Sequence, residues 1–302
     1  MVGRKEDIMR TASGFRVFCG FALLGAWLLA APAGAATCNG LTCTIEGTSG
    51  NNTLGGTPNA DVICGLGGSD TISGAGGGDT ICGGFGDDTI FGEGGNDVII
   101  GEPGVDSFDG GSGTDTVRFN SAVTATLGSP GSADDGSGTD TLTSIEVLVG
   151  SDSADTLTGD GNNNTLTGRG GDDTLKGLGG ADVITGNNGT DTAVYDSAIN
   201  ATLGSPGSAS DGDTLNTIEN LTGSGSDDTL TGDGNANVLT GLGGNDSLNG
   251  GGGNDTLNGG TASDTLDGGS GTDTCNGGTP PPPIDVETDF CTTCETVTSC
   301  DQ

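Results

Sequence analysis

An aspartate recurs every nine residues at Asp70, Asp79, Asp88, Asp97, Asp106 and Asp115, each two places ahead of an apolar residue. Glycine leads each of these nonapeptides (Gly65, Gly74, Gly83, Gly92, Gly101, Gly110) and returns at its fourth position (Gly68, Gly77, Gly86, Gly95, Gly104, Gly113). A carboxylate at this spacing becomes chemical once the chain coils. If two nonapeptides make one turn of a solenoid, the sixth positions of repeats 18 residues apart stack about one strand spacing apart, roughly 4.8 Å. Carboxylates that close repel, so the column must be protonated or bridged by a cation. Carboxylates joined by turn carbonyls suit calcium, which takes six to eight oxygens in a pliable cage. Magnesium demands stricter geometry, and zinc would want His or Cys.

In the first array the columns are expected to hold Asp61, Asp79, Asp97 and Asp115 on one edge and Asp70, Asp88 and Asp106 on the other. The second array offers Asp155, Asp173, Asp182 and Asp191, and the third Asp228, Asp246, Asp255, Asp264 and Asp273. Counting aligned pairs predicts five calcium sites, then two, then three, about ten in all, with two weaker ones involving Asn164 and Asn237.

The elements that position these groups follow from the same nonapeptide. It divides into a six-residue turn, G-x-x-G-x-D, and a three-residue strand whose central residue points inward while its neighbours point out. Glycine at positions 1 and 4 is expected to allow positive φ and close backbone approach. The fold class is therefore all-β: a solenoid of 18-residue coils, each of two short parallel strands joined by two turns, in three arrays. Residues 1–35 read as a signal peptide and 36–46 as a cysteine-containing cap. The arrays span 47–118 with eight repeats, 150–194 with five and 223–276 with six. Two spacers, 119–149 and 195–222, separate them and are related to each other: TATLGSPGSA returns as NATLGSPGSA, and DTLTSIEVLVGS as DTLNTIENLTGS. Their β-branched runs at 123–127 and 145–149 make them strand-bearing wide coils. Past the arrays, 277–302 is a linker with a proline run at 280–283, which favours polyproline II and stops the repeat, then a cysteine-rich tail.

Composition narrows the function classes. The chain has 302 residues, 64 Gly, no His and a formal charge of -35. So much glycine without a Gly-X-Y period excludes an ordinary globular core, and the strict short period overrides disorder. A basic lead (Arg4, Lys5, Arg10, Arg16), an apolar run at 17–31 and the A-x-A of residues 33–35 read as a cleaved secretory leader, leaving no membrane span behind. Nucleic acid is excluded as a partner by charge. Without His there is no Ser-His-Asp or Cys-His mechanism and no H-E-x-x-H protease, and G-x-S-x-G is absent. The carboxylates are accounted for by the repeat, so no enzyme is expected. Eight cysteines outside the leader favour disulfides in an exported chain. The spacing predicts Cys64 with Cys82 on adjacent coils, Cys38 with Cys43 in a small loop, and Cys275 with one of Cys291, Cys294 and Cys300. A four-cysteine zinc site is the alternative for the last four.

Repeats such as GGGGNDTLN (250–258) resemble the RTX, or haemolysin-type calcium-binding, nonapeptide G-G-x-G-x-D-x-U-x at every position. The resemblance covers most of the chain beyond the leader and implies a parallel β-roll, a right-handed β-solenoid, with calcium in its turns, the position-6 Asp supplying the side-chain ligand. It is looser where Ser153, Asn162, Ser226, Asn235 and Ala262 replace the position-4 glycine. Many RTX exoproteins carry a catalytic domain and a C-terminal secretion signal; this chain has a leader and a cysteine-rich end instead. The expectation is a secreted protein that folds on calcium and serves as a structural, adhesive or matrix component, with cell-envelope or extracellular polysaccharide as a partner. A glycan-binding or polysaccharide-active module is the first alternative. The second is an ice-binding protein, suggested by Thr-Leu-Thr ladders at 156–158, 165–167 and 229–231, although threonine simply favours strands.

Overall fold

A three-residue strand with one apolar residue at its centre cannot bury anything alone, so each nonapeptide depends on its neighbours in the stack. The computed structural model, which describes residues 36–278 and 290–298, shows how that dependence is met. All the described elements are strands. Successive nonapeptides contribute alternately to two fifteen-stranded sheets that face each other. Pairing is parallel and in register at an offset of 18, as in Ile72 with Ile90 and Ile81 with Ile99. The position-8 residues form one continuous core, with Ile72, Ile81, Ile90, Ile99, Leu157, Leu166 and Leu257 fully buried. The coil is as the periodicity requires.

Within the regular turns, left-handed backbone falls at positions 2 and 4, for example Leu66 (φ 79°) and Gly68 (φ 98°), or Glu93 (φ 68°) and Gly95 (φ 129°). Position 1 does not need it. There glycine is required by space alone, because a Cβ on Gly65 would collide with Asp70 Oδ2 and with the carbonyl of Gly83 on the next coil.

The spacers are wide coils of a defined kind. After the strand Thr116–Phe119, the chain crosses to Thr124–Thr126, turns back as Gly131–Asp134, and turns again as Thr139–Thr143. The three make an antiparallel meander, with Ala125 opposite Ala133 and Ala133 opposite Asp140. Its last strand lies parallel on Ser107–Asp109, and its first is the platform for Thr156–Thr158. Meanwhile the other sheet advances by a single strand, Val147–Val149. The second spacer repeats this arrangement with Asn200–Thr202, Gly207–Ala209 and Thr214–Asn216, but in the opposite sheet. The five repeats of the second array make two and a half coils, so the second insertion starts half a coil later. Each sheet thereby receives one meander, and the strand counts end equal.

Both ends are stapled, and the cysteine pairing differs from expectation. Cys64 and Cys82 are register partners, but they bond across to the N-terminal cap: Cys38 to Cys82 (Cα separation 5.7 Å) and Cys43 to Cys64 (6.0 Å). The cap folds as an antiparallel hairpin, Thr37–Cys38 with Leu41–Thr42, and packs its cysteines with Ile100, Val62 and Val98. Position 9 faces out of the coil, so each sulfur there is presented to the covering hairpin as readily as to its stacked neighbour.

At the other end Cys275 bonds Cys294 (Cα separation 6.0 Å), and Cys291 is also disulfide-bonded, which removes the zinc alternative. The tail is itself a third copy of the spacer's closing segment. Its strands Phe290–Thr292 and Thr296–Thr298 cap the two sheets, and Cys294 falls where Ile145 and Ile218 are buried in the earlier copies. The leader, the proline run 280–283 and Cys300 lie outside the described residues.

Candidate metal centre

Each position-6 aspartate is placed by the turn before it and the strand after it. Its carbonyl accepts the N–H that starts the next coil's strand (Asp70 O from Thr89 N, 2.9 Å). One carboxylate oxygen accepts the backbone N–H of the position-6 residue one coil earlier: Asp70 N–H donates to Asp88 Oδ1 (2.7 Å), Asp79 to Asp97 (2.7 Å), Asp88 to Asp106 (2.8 Å), Asp97 to Asp115 (2.8 Å). The same link joins Asp155 to Asp173, Asp173 to Asp191, Asp228 to Asp246, Asp246 to Asp264 and Asp255 to Asp273. The expected carboxylates are thus brought into two columns, one along each edge.

The second oxygen separates two kinds of turn. In Asp70, Asp79, Asp88, Asp97, Asp115, Asp173, Asp182, Asp191, Asp246, Asp255 and Asp273 it is buried and accepts no hydrogen bond. It stands over the position-1 glycine, beside the carbonyl of the next coil's position-1 glycine in turns such as those of Gly65, Gly74 and Gly92. A buried carboxylate oxygen without a donor is strongly unfavourable unless something positive meets it.

In the first two turns of every array that oxygen is instead satisfied from within. Thr57 N–H donates to Asp61 Oδ2 (2.7 Å), Ser151 N–H to Asp155 Oδ2 (2.5 Å) and Ser224 N–H to Asp228 Oδ2 (2.6 Å). Thr48, Asp160 and Asp233 do the same for Asn52, Asn164 and Asn237. The position-2 side chain then accepts the N–H of position 4, as Ser151 Oγ does from Ser153 (3.0 Å) and Asp160 Oδ1 from Asn162 (2.8 Å). These side-chain-closed turns need no left-handed residue. That is why Ser153, Asn162, Ser226 and Asn235 can replace glycine, whereas Ala262, in a regular turn, is left at φ 86°.

Burial and like charge act on the columns together. Desolvation first, then neighbouring carboxylates, raises Asp88, Asp97, Asp140, Asp213 and Asp246 to about 6. Asp106 and Asp173 rise to about 7 for the same reasons. Asp61, in a side-chain-closed turn, goes the other way, lowered chiefly by the Thr57 N–H. Among the described residues no three acidic side chains converge on one point, so any cation must be completed by backbone carbonyls. The donor set fits calcium on those terms: hard carboxylate and main-chain oxygens only.

Five column members escape the nonapeptide pattern. Asp106 N–H donates to Asp140 Oδ1 and Asp182 N–H to Asp213 Oδ1 (2.8 Å each), with the second oxygens of Asp140 and Asp213 again lacking a donor. Asp115, Asp191 and Asp273 donate to Glu146, Glu219 and Glu295 (2.8, 2.8 and 2.6 Å). The signal was present as Asp-Thr-Leu in both spacers, and as a Glu two places before an apolar residue in all three short turns. It is hidden because the glycines that usually announce the turn are gone.

The model of the RTX calcium-binding nonapeptide repeat (four copies) matches residues 46–81, 83–117, 134–175, 158–193, 213–248, 222–257 and 249–279. A comparison with curated proteins finds none that matches this chain.

Proposed function

Because the chain belongs to the RTX calcium-binding nonapeptide-repeat proteins, we propose that calcium completes its fold and that it works outside the cell as a structural or adhesive component of the extracellular matrix, without catalysis. The observation that carries this reading is the pair of carboxylate columns, in which aspartates such as Asp79, Asp97 and Asp115 have one oxygen held by a backbone N–H and the other buried without a donor. Calcium, when bound, supplies the charge and coordination those oxygens lack. The chain's own residues do the rest. Position-1 glycines leave room for the carboxylate, left-handed residues at positions 2 and 4 turn the backbone, and the apolar position 8 locks successive coils together.

Three disulfide pairs, the leader-like start and the absence of His support an exported, non-enzymatic role. No helix among the described residues is long and apolar enough to cross a membrane. A surface this acidic suits a neutral or cation-bridged polysaccharide of the envelope or matrix better than an anionic membrane.

Circular dichroism of the full chain tests the reading. The β-signal should appear on titrating calcium into chelated protein, fail to appear with magnesium at the same concentration, and vanish with excess chelator. The same β-signal in chelator and in millimolar calcium would overturn it. In the producing cells the chain should fractionate with extracellular matrix and be released by chelator.

A further inference from the structure

We infer that the three short turns ending in Glu146, Glu219 and Glu295 each close a calcium site that the nonapeptide motif does not encode, using Asp115, Asp191 and Asp273 of the coil beneath. The inference rests on the calcium reading proposed above.

Three column segments end where a six-residue turn is replaced by a three-residue one. Ser144, Thr217 and Thr293 adopt left-handed backbone there (φ 53°, 48° and 52°). The glutamate that follows accepts the aspartate N–H, the task Asp Oδ1 performs in regular coils. The short turn starts further from the column, and the extra methylene of glutamate makes up the reach.

The second, independent observation is the state of the aspartate below. Asp115, Asp191 and Asp273 are each fully buried at 0% exposure, and Oδ2 of each has no hydrogen-bond donor. Each of these oxygens stands over a position-1 glycine: Gly110, Gly186 and Gly268. Beside it lies a carbonyl, from Ser144, Thr217 and Thr293 respectively. In the regular coils of Gly65, Gly74 and Gly92 that place is taken by the carbonyl of the next position-1 glycine. The short turn therefore reproduces the oxygen arrangement of a regular turn: an unpartnered carboxylate oxygen, a main-chain carbonyl facing it, and a second carboxylate one coil on. A regular-turn site and a short-turn site differ in sequence and agree in oxygens. Three occurrences, two in the spacers and one in the tail, make the arrangement a rule of this chain.

Native mass spectrometry of the full chain at matched free calcium tests this by counting ions in the parent and in the triple variant E146Q/E219Q/E295Q. The amide oxygen of glutamine still accepts the aspartate N–H, so the coil is retained while the charge is lost. Three fewer calcium ions, with the β-signal in saturating calcium unchanged, is the expected result. An unchanged count in the triple variant overturns the inference and leaves calcium binding by the repeats intact, whereas a parent that binds no calcium overturns the reading beneath it. Should the triple variant fail to fold, E146Q and E219Q taken singly are each expected to lose one ion, and an unchanged count in both overturns the inference equally.

Discussion

The residue that decides the behaviour of this molecule is an aspartate with two unlike oxygens. The first is satisfied by the backbone of the coil below, which orients the side chain within the column. The second is buried and unanswered, and its cost falls on the charged form. Burial first, and neighbouring carboxylates after it, push the carboxyls of Asp88, Asp97 and Asp246 up to about 6 and that of Asp173 to about 7. An unfolded aspartate titrates near 4, so between about pH 4 and 7 the calcium-free fold binds more protons than the unfolded chain, and its stability falls as pH rises. Calcium favours the charged form and reverses the slope. In chelator part of the β-signal should therefore return at pH 4.5 while staying absent at pH 7.5, whereas in saturating calcium the denaturation midpoint should be higher at pH 7.5. A β-signal in chelator that is equally absent at pH 4.5 and pH 7.5 would contradict the assignment of those carboxylates.

At the scale of the element, the turn carries the information and the strand is nearly generic. Three turn types serve one strand type: the regular glycine turn, the side-chain-closed turn that opens each array, and the short glutamate turn that ends it. The closed turns of Asp61, Asp155 and Asp228 supply from Thr57, Ser151 and Ser224 the donors that regular turns lack. The two ends of the stack need something else, since a terminal coil has no neighbour on one side. The cap hairpin and the tail supply it covalently. Peptide mapping without reduction should recover Cys38 with Cys82, Cys43 with Cys64 and Cys275 with Cys294. Replacing Cys275 and Cys294 together by Ala should cost about 3 kcal/mol in calcium, the entropy of a loop of this size. A Cys64–Cys82 link would reverse the description of the cap.

For the whole molecule, parity is the controlling variable. Each spacer adds two strands more to one sheet than to the other, and the odd number of repeats between them sends the second addition to the opposite sheet. Deleting one nonapeptide from the second array, residues 168–176, would place both meanders in the same sheet and move every later aspartate to the other column. Deleting two, residues 168–185, keeps the parity. The 18-residue deletion should unfold in calcium as one cooperative transition close to that of the parent, and the nine-residue deletion should lose that cooperativity. Equal thermal unfolding profiles for the two deletions would show that the sheets tolerate unequal growth.

What the sequence determined alone is everything governed by the period. Glycine at positions 1 and 4, aspartate at 6 and an apolar residue at 8 specify the coil, the two columns and the calcium-binding chemistry, because in-register stacking converts a spacing of 18 into a contact. Where the period lapses, legibility lapses with it. Asp140, Asp213, Glu146, Glu219 and Glu295 join the columns through coils whose lengths break the frame, so only the folded chain shows them to be neighbours. The same holds for the cysteines. Cys64 and Cys82 are adjacent by register, and choosing between that pairing and bonds to the cap requires knowing that residues 37–42 fold over the face they occupy. Local spacing fixes what repeats; contacts between segments without a common period are decided by packing in three dimensions.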